Sequence, residues 1–215
     1  MTERYPGYNV LNKRNSPSWN DQTRAVVDAR LNVDPNLRRF CDDREWKTLC
    51  AVCAQIIPQN SDRPDKVPLA ALVDEKLHNR RSDGYRDARL PELTAAWRKG
   101  LAAIEAEAFF VGNKPFFELA DEQQRALLLK VQQGDVSSLA WLDLPPALFF
   151  TERILHDIVS AYYAHPVSWN QIGYGGPASP RGYVRMNFDR RDPWEAAEAA
   201  PGKEEAARRE NEHVR

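Results

Sequence analysis

Cys50-Ala51-Val52-Cys53 has the spacing at which paired thiols hold zinc or exchange disulfides, and Cys41 lies near enough in sequence to join it. A redox pair of that type needs a βαβ setting, and a zinc site needs a second ligand pair. Neither accompanies these cysteines, whose positions repeat with the apolar residues of a helix, so they read as small core residues. His156 and His165 are too far apart in sequence to share a helical face as ligands at i and i+4 do. His156, Asp157 and Glu152 come nearest to a general acid–base set, yet no nucleophile stands beside them and the other carboxylates are scattered over polar helix faces. Gly173-Tyr174-Gly175-Gly176-Pro177 invites a phosphate-loop reading. Such a loop needs a strand before it and a helix N-terminus after it, and Pro177 and Pro180 block that continuation. No catalytic, cofactor-binding or metal-binding set is expected in this chain.

The elements that would position these residues are helices. Asp42 with Glu45 three residues on forms a capping-box pattern, and Trp46, Leu49, Cys50, Cys53, Ile56 and Ile57 follow at spacings of three and four. Pro58 stops that helix. A second opens near Pro68 with Leu69, Leu72, Val73 and Leu77 on its apolar side, and the longest follows Pro91, with Leu93, Trp97, Leu101, Ile104 and Ala108 before Gly112 ends it. Asp121 to Val131 holds Leu127, Leu128 and Val131, with Gly134 closing it, and Pro145-Pro146 start a last core helix through Phe149, Ile154, Leu155, Ile158 and Tyr162. Upstream, Ser18 is placed to cap a segment from Trp19 through Leu31, interrupted at Pro35. No sustained alternation marks a strand.

The expected fold is all-α: a multi-helix domain with an extended N-terminal arm and an irregular Gly/Pro/aromatic C-terminal segment. The boundaries read as an arm over 1–40 with one helix, a helical core over 41–165, an irregular segment over 166–191, and a charged tail over 192–215 that forms a solvated helix or stays mobile. A formal net charge of -1 gives no overall attraction for nucleic acid. The N-terminal residues lack the apolar stretch of a signal peptide, no stretch is long enough to span a membrane, and three cysteines fit a reducing compartment, so a cytoplasmic protein is expected.

Within 166–191 aromatic residues and arginines crowd together, the types that dominate protein–protein hot spots. Trp169, Ile172, Gly173, Tyr174, Gly175, Gly176, Pro177, Arg181, Tyr183, Arg185 and Phe188 are therefore the expected partner-binding residues. The alternative for such a segment is to fold back on its own helices.

Three short stretches in order carry a resemblance: Cys53-Ala54-Gln55-Ile56-Ile57-Pro58, then Phe116-Phe117-Glu118-Leu119 with Asp121-Glu122-Gln123, then Trp169 to Pro177 with its Ile-Gly-Tyr core. Together they resemble the gluconate 2-dehydrogenase subunit 3 family, the small or gamma subunits of flavin-dependent sugar dehydrogenases. The resemblance implies a helical, non-catalytic small subunit that supports folding and stability of a large catalytic subunit of the glucose-methanol-choline (GMC) type. FAD, with an iron-sulfur cluster as a further option, would lie in that partner, and the complex would have an electron-transfer partner. Many members carry a twin-arginine export signal, and this sequence shows none. That departure points to the branch resembling small subunits of cytoplasmic glucoside 3-dehydrogenases. Two other classes stay open at this point: a stand-alone helical ligand-binding or regulatory module using the Gly173–Gly176 loop over a pocket, and an independent helical enzyme built on His156, Asp157 and Glu152.

Overall fold

The structure is a computed structural model that describes residues 3–60, 65–182, 188 and 190–214. It is helical, with no β-strand among the described residues, only an isolated parallel bridge between Trp19 and Ser179. The chain divides into two units, one of residues 34–161 and one of residues 1–33 with 162–215.

The 34–161 unit is built around one long helix. Helix α2 (Asp43–Ile56) begins at a complete capping box, with Asp42 accepting from the Arg44 and Glu45 amides and Glu45 accepting from the Asp42 amide. Helix α3 (Leu69–His78) buries Leu69, Ala71, Val73, Asp74 and Leu77. Helix α4 (Leu93–Gly112) packs against both, and against α5 (Asp121–Gln133) and α6 (Pro146–Phe149). Its buried face holds Leu93, Trp97, Leu101, Ile104 and Ala108, the stripe that the spacing predicts. The left-handed residue ending α4 is Asn113 (φ 50°), not Gly112. Gly112 answers a different need: a Cβ there would stand 2.6 Å from Leu119 Cδ2. Gly134 does close α5 in the left-handed conformation, at φ 78°.

The last core helix is not regular. After α6 the chain winds as a π-helical segment over Phe150–Leu155 before resuming as α7 (His156–Tyr163). Apolar spacing does not disclose this, because Phe150, Ile154 and Ile158, all buried, recur every four residues as they would in an ordinary helix.

Four carboxylates among the described residues of this unit are buried, and each is enclosed by donors. Asp74 accepts from the amides of Arg39, Phe40 and Cys41, which fixes the chain entering α2. Glu105 accepts from the Thr48 hydroxyl (2.6 Å), the Phe116 amide (3.1 Å) and Arg44 Nε (3.0 Å). Glu107 holds the Ser137 and Ser138 amides, and Asp157 accepts from Trp97 Nε1 (2.7 Å) and Lys76 Nζ (2.8 Å). Buried carboxylates are tolerated only when satisfied in this way, and their donors tie loops and helices together.

In the other unit, both ends of the chain share one small core of Tyr8, Val10, Trp19, Val27, Trp169 and Val214. Helix α1 (Asp21–Leu31) is capped by Asn20, whose side chain accepts from the Thr23 amide. The predicted cap, Ser18, and the predicted first residue, Trp19, lie outside the helix because the Trp19 ring is drawn into the core. Helix α8 (Pro166–Ile172) replaces the irregular start expected at 166. His165 caps it by accepting from the Val167 amide, Pro166 occupies the first turn, and Gly173 ends it at φ 66°. The charged tail contains α9 (Glu204–Glu212), whose Asn211 is buried and bonded to Pro6 O, Ala197 O and the Ala197 amide. The bond to Pro6 O ties the tail to the arm, 205 residues apart in sequence.

Candidate functional site

Burial pushes all three thiols up from their ordinary range, Cys41 with added help from Asp74, so none is poised as a thiolate nucleophile. Cys53 is buried in α2 and Cys50 half-buried beside it. Asp83, His156 and Asp157 bring ligand atoms within 4.8 Å of one another. The Lys76 ammonium already stands among them, 2.8 Å from Asp157 and 2.9 Å from Asp83, so the position that suits a cation is filled by the protein's own. Exposed His156 reaches only Asp83, at 3.3 Å. Glu152 contributes its carbonyl to Arg153. His156, Asp157 and Glu152 do not form an acid–base constellation.

His165 is equally committed. Its Nδ1 accepts from the Val167 amide at 3.3 Å, so the proton sits on Nε2, 3.1 Å from Arg30 O. Burial pushes its pKa down, the hydrogen bond to Arg30 O opposes this, and the Arg30 charge adds to the burial. Arg30 donates in return to Ala164 O. The end of α1 and the start of α8 are thereby bonded to each other.

The glycine loop is shaped by the N-terminal arm. A Cβ on Gly173 would lie 2.6 Å from the Tyr5 ring, one on Gly175 would lie 3.0 Å from Lys13 Nζ, and one on Gly176 would lie 3.0 Å from Val10 and 3.3 Å from Trp169. Gly173 and Gly176 also adopt positive φ (66° and 68°). Close approach of Tyr5, Val10 and Lys13, rather than a phosphate, is what these glycines permit. Lys13 is fully buried with its ammonium donating to Trp194 O at 2.8 Å.

The expected partner-binding residues separate into two groups. Trp169 is 2% exposed, its ring nitrogen donating to Tyr163 O (2.6 Å), with Tyr174 packed edge-on at 5.7 Å and the Arg30 guanidinium over its ring. It is a core residue of its unit. Gly176 is buried, and Gly173, Gly175 and Pro177 are half-buried. Arg181 stacks over Trp194 at 4.0 Å and donates to the Ser18 hydroxyl. Ile172, Tyr174 and Phe188 keep large exposed apolar surfaces, at 44%, 40% and 91%. Tyr183 and Arg185 lie outside the described residues.

A family model described as gluconate 2-dehydrogenase subunit 3 matches residues 43–176, from the first turn of α2 to the last glycine of the loop. The chain belongs to the gluconate 2-dehydrogenase subunit 3 family. It is therefore a subunit of a dehydrogenase complex. Comparison with curated proteins and with solved structures gave no match. No helix among the described residues is long and apolar enough to cross a membrane.

Further apolar surface in this subunit 3 chain escaped the sequence reading. Phe110, Leu139 and Leu142 in the 34–161 unit are 70%, 78% and 79% exposed. The signal was present in part: Phe110 falls off the buried stripe of α4, and Leu139 and Leu142 flank the buried Trp141 in a short 3₁₀ turn.

Proposed function

We propose that this chain is a non-catalytic small subunit that binds and stabilises a GMC-type, FAD-dependent sugar or glycoside dehydrogenase, leaving flavin and substrate to that partner. The observation that carries the reading is the loop from Ile172 to Gly176 at the end of the family match. Its backbone is braced by Tyr5, Val10 and Lys13, while Ile172 and Tyr174 present rings and methyls to solvent. A rigid loop that displays apolar side chains loses little conformational freedom on docking, which favours association. The buried carboxylates fit the same reading, since each is enclosed by structural donors. Three free thiols suit a reducing compartment, in keeping with a cytoplasmic complex.

The test is co-expression with a GMC-type flavoprotein, taken from a neighbouring reading frame if one encodes it. Ile172→Ser with Tyr174→Ser should weaken assembly by about 2 kcal/mol or more, seen as loss of the complex in size-exclusion chromatography. Unchanged co-elution and unchanged yield of the flavoprotein would remove the loop from the interface. Sugar oxidation by this chain purified without any flavoprotein would remove the accessory role itself.

A further inference from the structure

A second feature, in the 34–161 unit, is independent of that assembly. The connection between α3 and α4 and the π-helical segment enclose a pocket of about 270 Å³, lined among others by Arg80, Ser82, Arg86, Glu92, Thr94 and Arg153. That is slightly below the usual volume of a drug-sized site and suits a small ligand.

Arg153 is the unusual member. It is only 6% exposed, its one terminal bond goes to the neighbouring Glu152 carbonyl at 2.9 Å, and its Nε has no hydrogen-bond partner among the described residues. A guanidinium stays charged, and burying that charge without an anion is costly unless something supplies one. It also sits on the π-helical segment Phe150–Leu155, a winding that recurs at functional sites. Two more guanidinium groups line the pocket. Arg80 stands in the left-handed region at φ 51°, just beyond the end of α3, and Arg86 donates to the Leu90 carbonyl. No carboxylate pairs with any of the three among the described residues. Asp83 also lines the pocket, but both its oxygens are held by Lys76, at 3.0 and 2.9 Å, and the Arg153 charge acts on it only beyond ion-pair distance. Glu92 is then the single uncompensated acid facing three arginines.

We infer that this pocket binds a phosphate group, free or as a small ester. One carboxylate would be satisfied by a single guanidinium fork, whereas three forks with the Ser82 and Thr94 hydroxyls match the larger acceptor set of a tetrahedral oxyanion. The arginines come from the α3–α4 connection and from the π-helical segment, so the anion would pin the connection to the helix.

The experiment titrates the full chain with sodium phosphate at ionic strength held constant by sodium chloride, following heat of binding and melting temperature, with malonate as the carboxylate control. Saturable binding and stabilisation by phosphate are expected, with little response to malonate. Arg80→Gln with Arg86→Gln, both exposed, should lower the ligand-free melting temperature only slightly, through the lost Arg86 bond to Leu90, and weaken phosphate binding tenfold or more. Arg153→Met should raise the ligand-free melting temperature, by removing an uncompensated charge, while abolishing the phosphate response; a purely structural arginine would lower it. Glycerol 3-phosphate separates the sources: tighter binding than inorganic phosphate points to an ester, equal or weaker binding to the free ion. Equal responses to phosphate and malonate, or unaltered phosphate binding in the Arg80/Arg86 double variant, would overturn the assignment.

Discussion

The Phe149 ring occupies the space where a side chain on Gly100 would stand: an ideal Cβ there lies 2.0 Å from Cζ and 2.3 Å from Cε1. Gly100 sits mid-way along α4, where glycine costs about 1 kcal/mol against alanine. The ring cannot retreat, since Phe149 is fully buried between Trp97, at 5.7 Å and 78°, and Trp141, at 6.2 Å. Gly100→Ala should therefore destabilise the 34–161 unit by about 2 kcal/mol net despite the better helix former. Adding Phe149→Leu should recover part of that loss in denaturant melts. A more stable Gly100→Ala protein would mean that the ring and helix are not in this register.

Trp169 and Tyr174 touch each other edge-on, yet their substitutions should act on different quantities. Trp169 belongs to the core shared by Tyr8, Val10, Trp19 and Val27, so Trp169→Ala should cost about 3–5 kcal/mol of stability in the isolated chain. Tyr174, at 40% exposed, should change isolated-chain stability much less and act on assembly with the proposed flavoprotein partner. Melting curves of the isolated variants, set beside their co-elution with the partner, separate the two. An isolated Trp169→Ala chain as stable as the parent would show that the ring is not a core element.

What the sequence disclosed and what it hid follow from the range of the interactions. Leu93, Trp97, Leu101, Ile104 and Ala108 were legible because one helix buries one face against its neighbours, a purely local pattern. The capping box at Asp42 and the glycine closing α5 are local for the same reason. Helix α8 was hidden by its shortness and by flanking proline and glycine, the very residues that start and stop it. The crowding of aromatics at Trp169 to Phe188 pointed to surface, but Trp169 is buried because Tyr8, Val10 and Trp19, far away in sequence, supply its pocket. No periodicity reports a partner that remote. Nor does apolar spacing register the extra residue per turn at Phe150–Leu155, which places Arg153 where it is.

His165 gives the unit holding both chain ends a sensitivity to acid. Burial pushes its pKa below the ordinary value near 6.5, with the hydrogen bond to Arg30 O opposing and the Arg30 charge adding to the burial. The unfolded chain thus takes up the proton first, and stability falls as pH drops below about 6.5. Protonation at Nδ1 also removes the acceptor for the Val167 amide that caps α8. Fluorescence of the buried Trp169 should report loosening between pH 7 and pH 5, and His165→Asn should flatten the dependence. An identical acid profile in that variant would assign the effect to other groups.

Lys13 acts in the opposite direction and at higher pH. Burial first, and Arg181 second, lower its pKa from 10.5 to about 8, with Glu195 opposing. Below pH 8 the folded protein carries a charge that costs stability. Between about pH 8 and 10.5 the folded Lys13 is neutral while the unfolded one is still charged, so stability rises with pH, by at most about 3 kcal/mol. Tyr8 sets the upper limit of the window: burial raises its pKa above the ordinary 10, so the unfolded chain ionises first and stability is lost again above pH 10. Denaturant melts at pH 7 and 9.5 should therefore show the parent gaining stability relative to Lys13→Met, which has no such group to titrate. If the difference between the two proteins is the same at both pH values, the ammonium under Gly175 is not the source of the penalty.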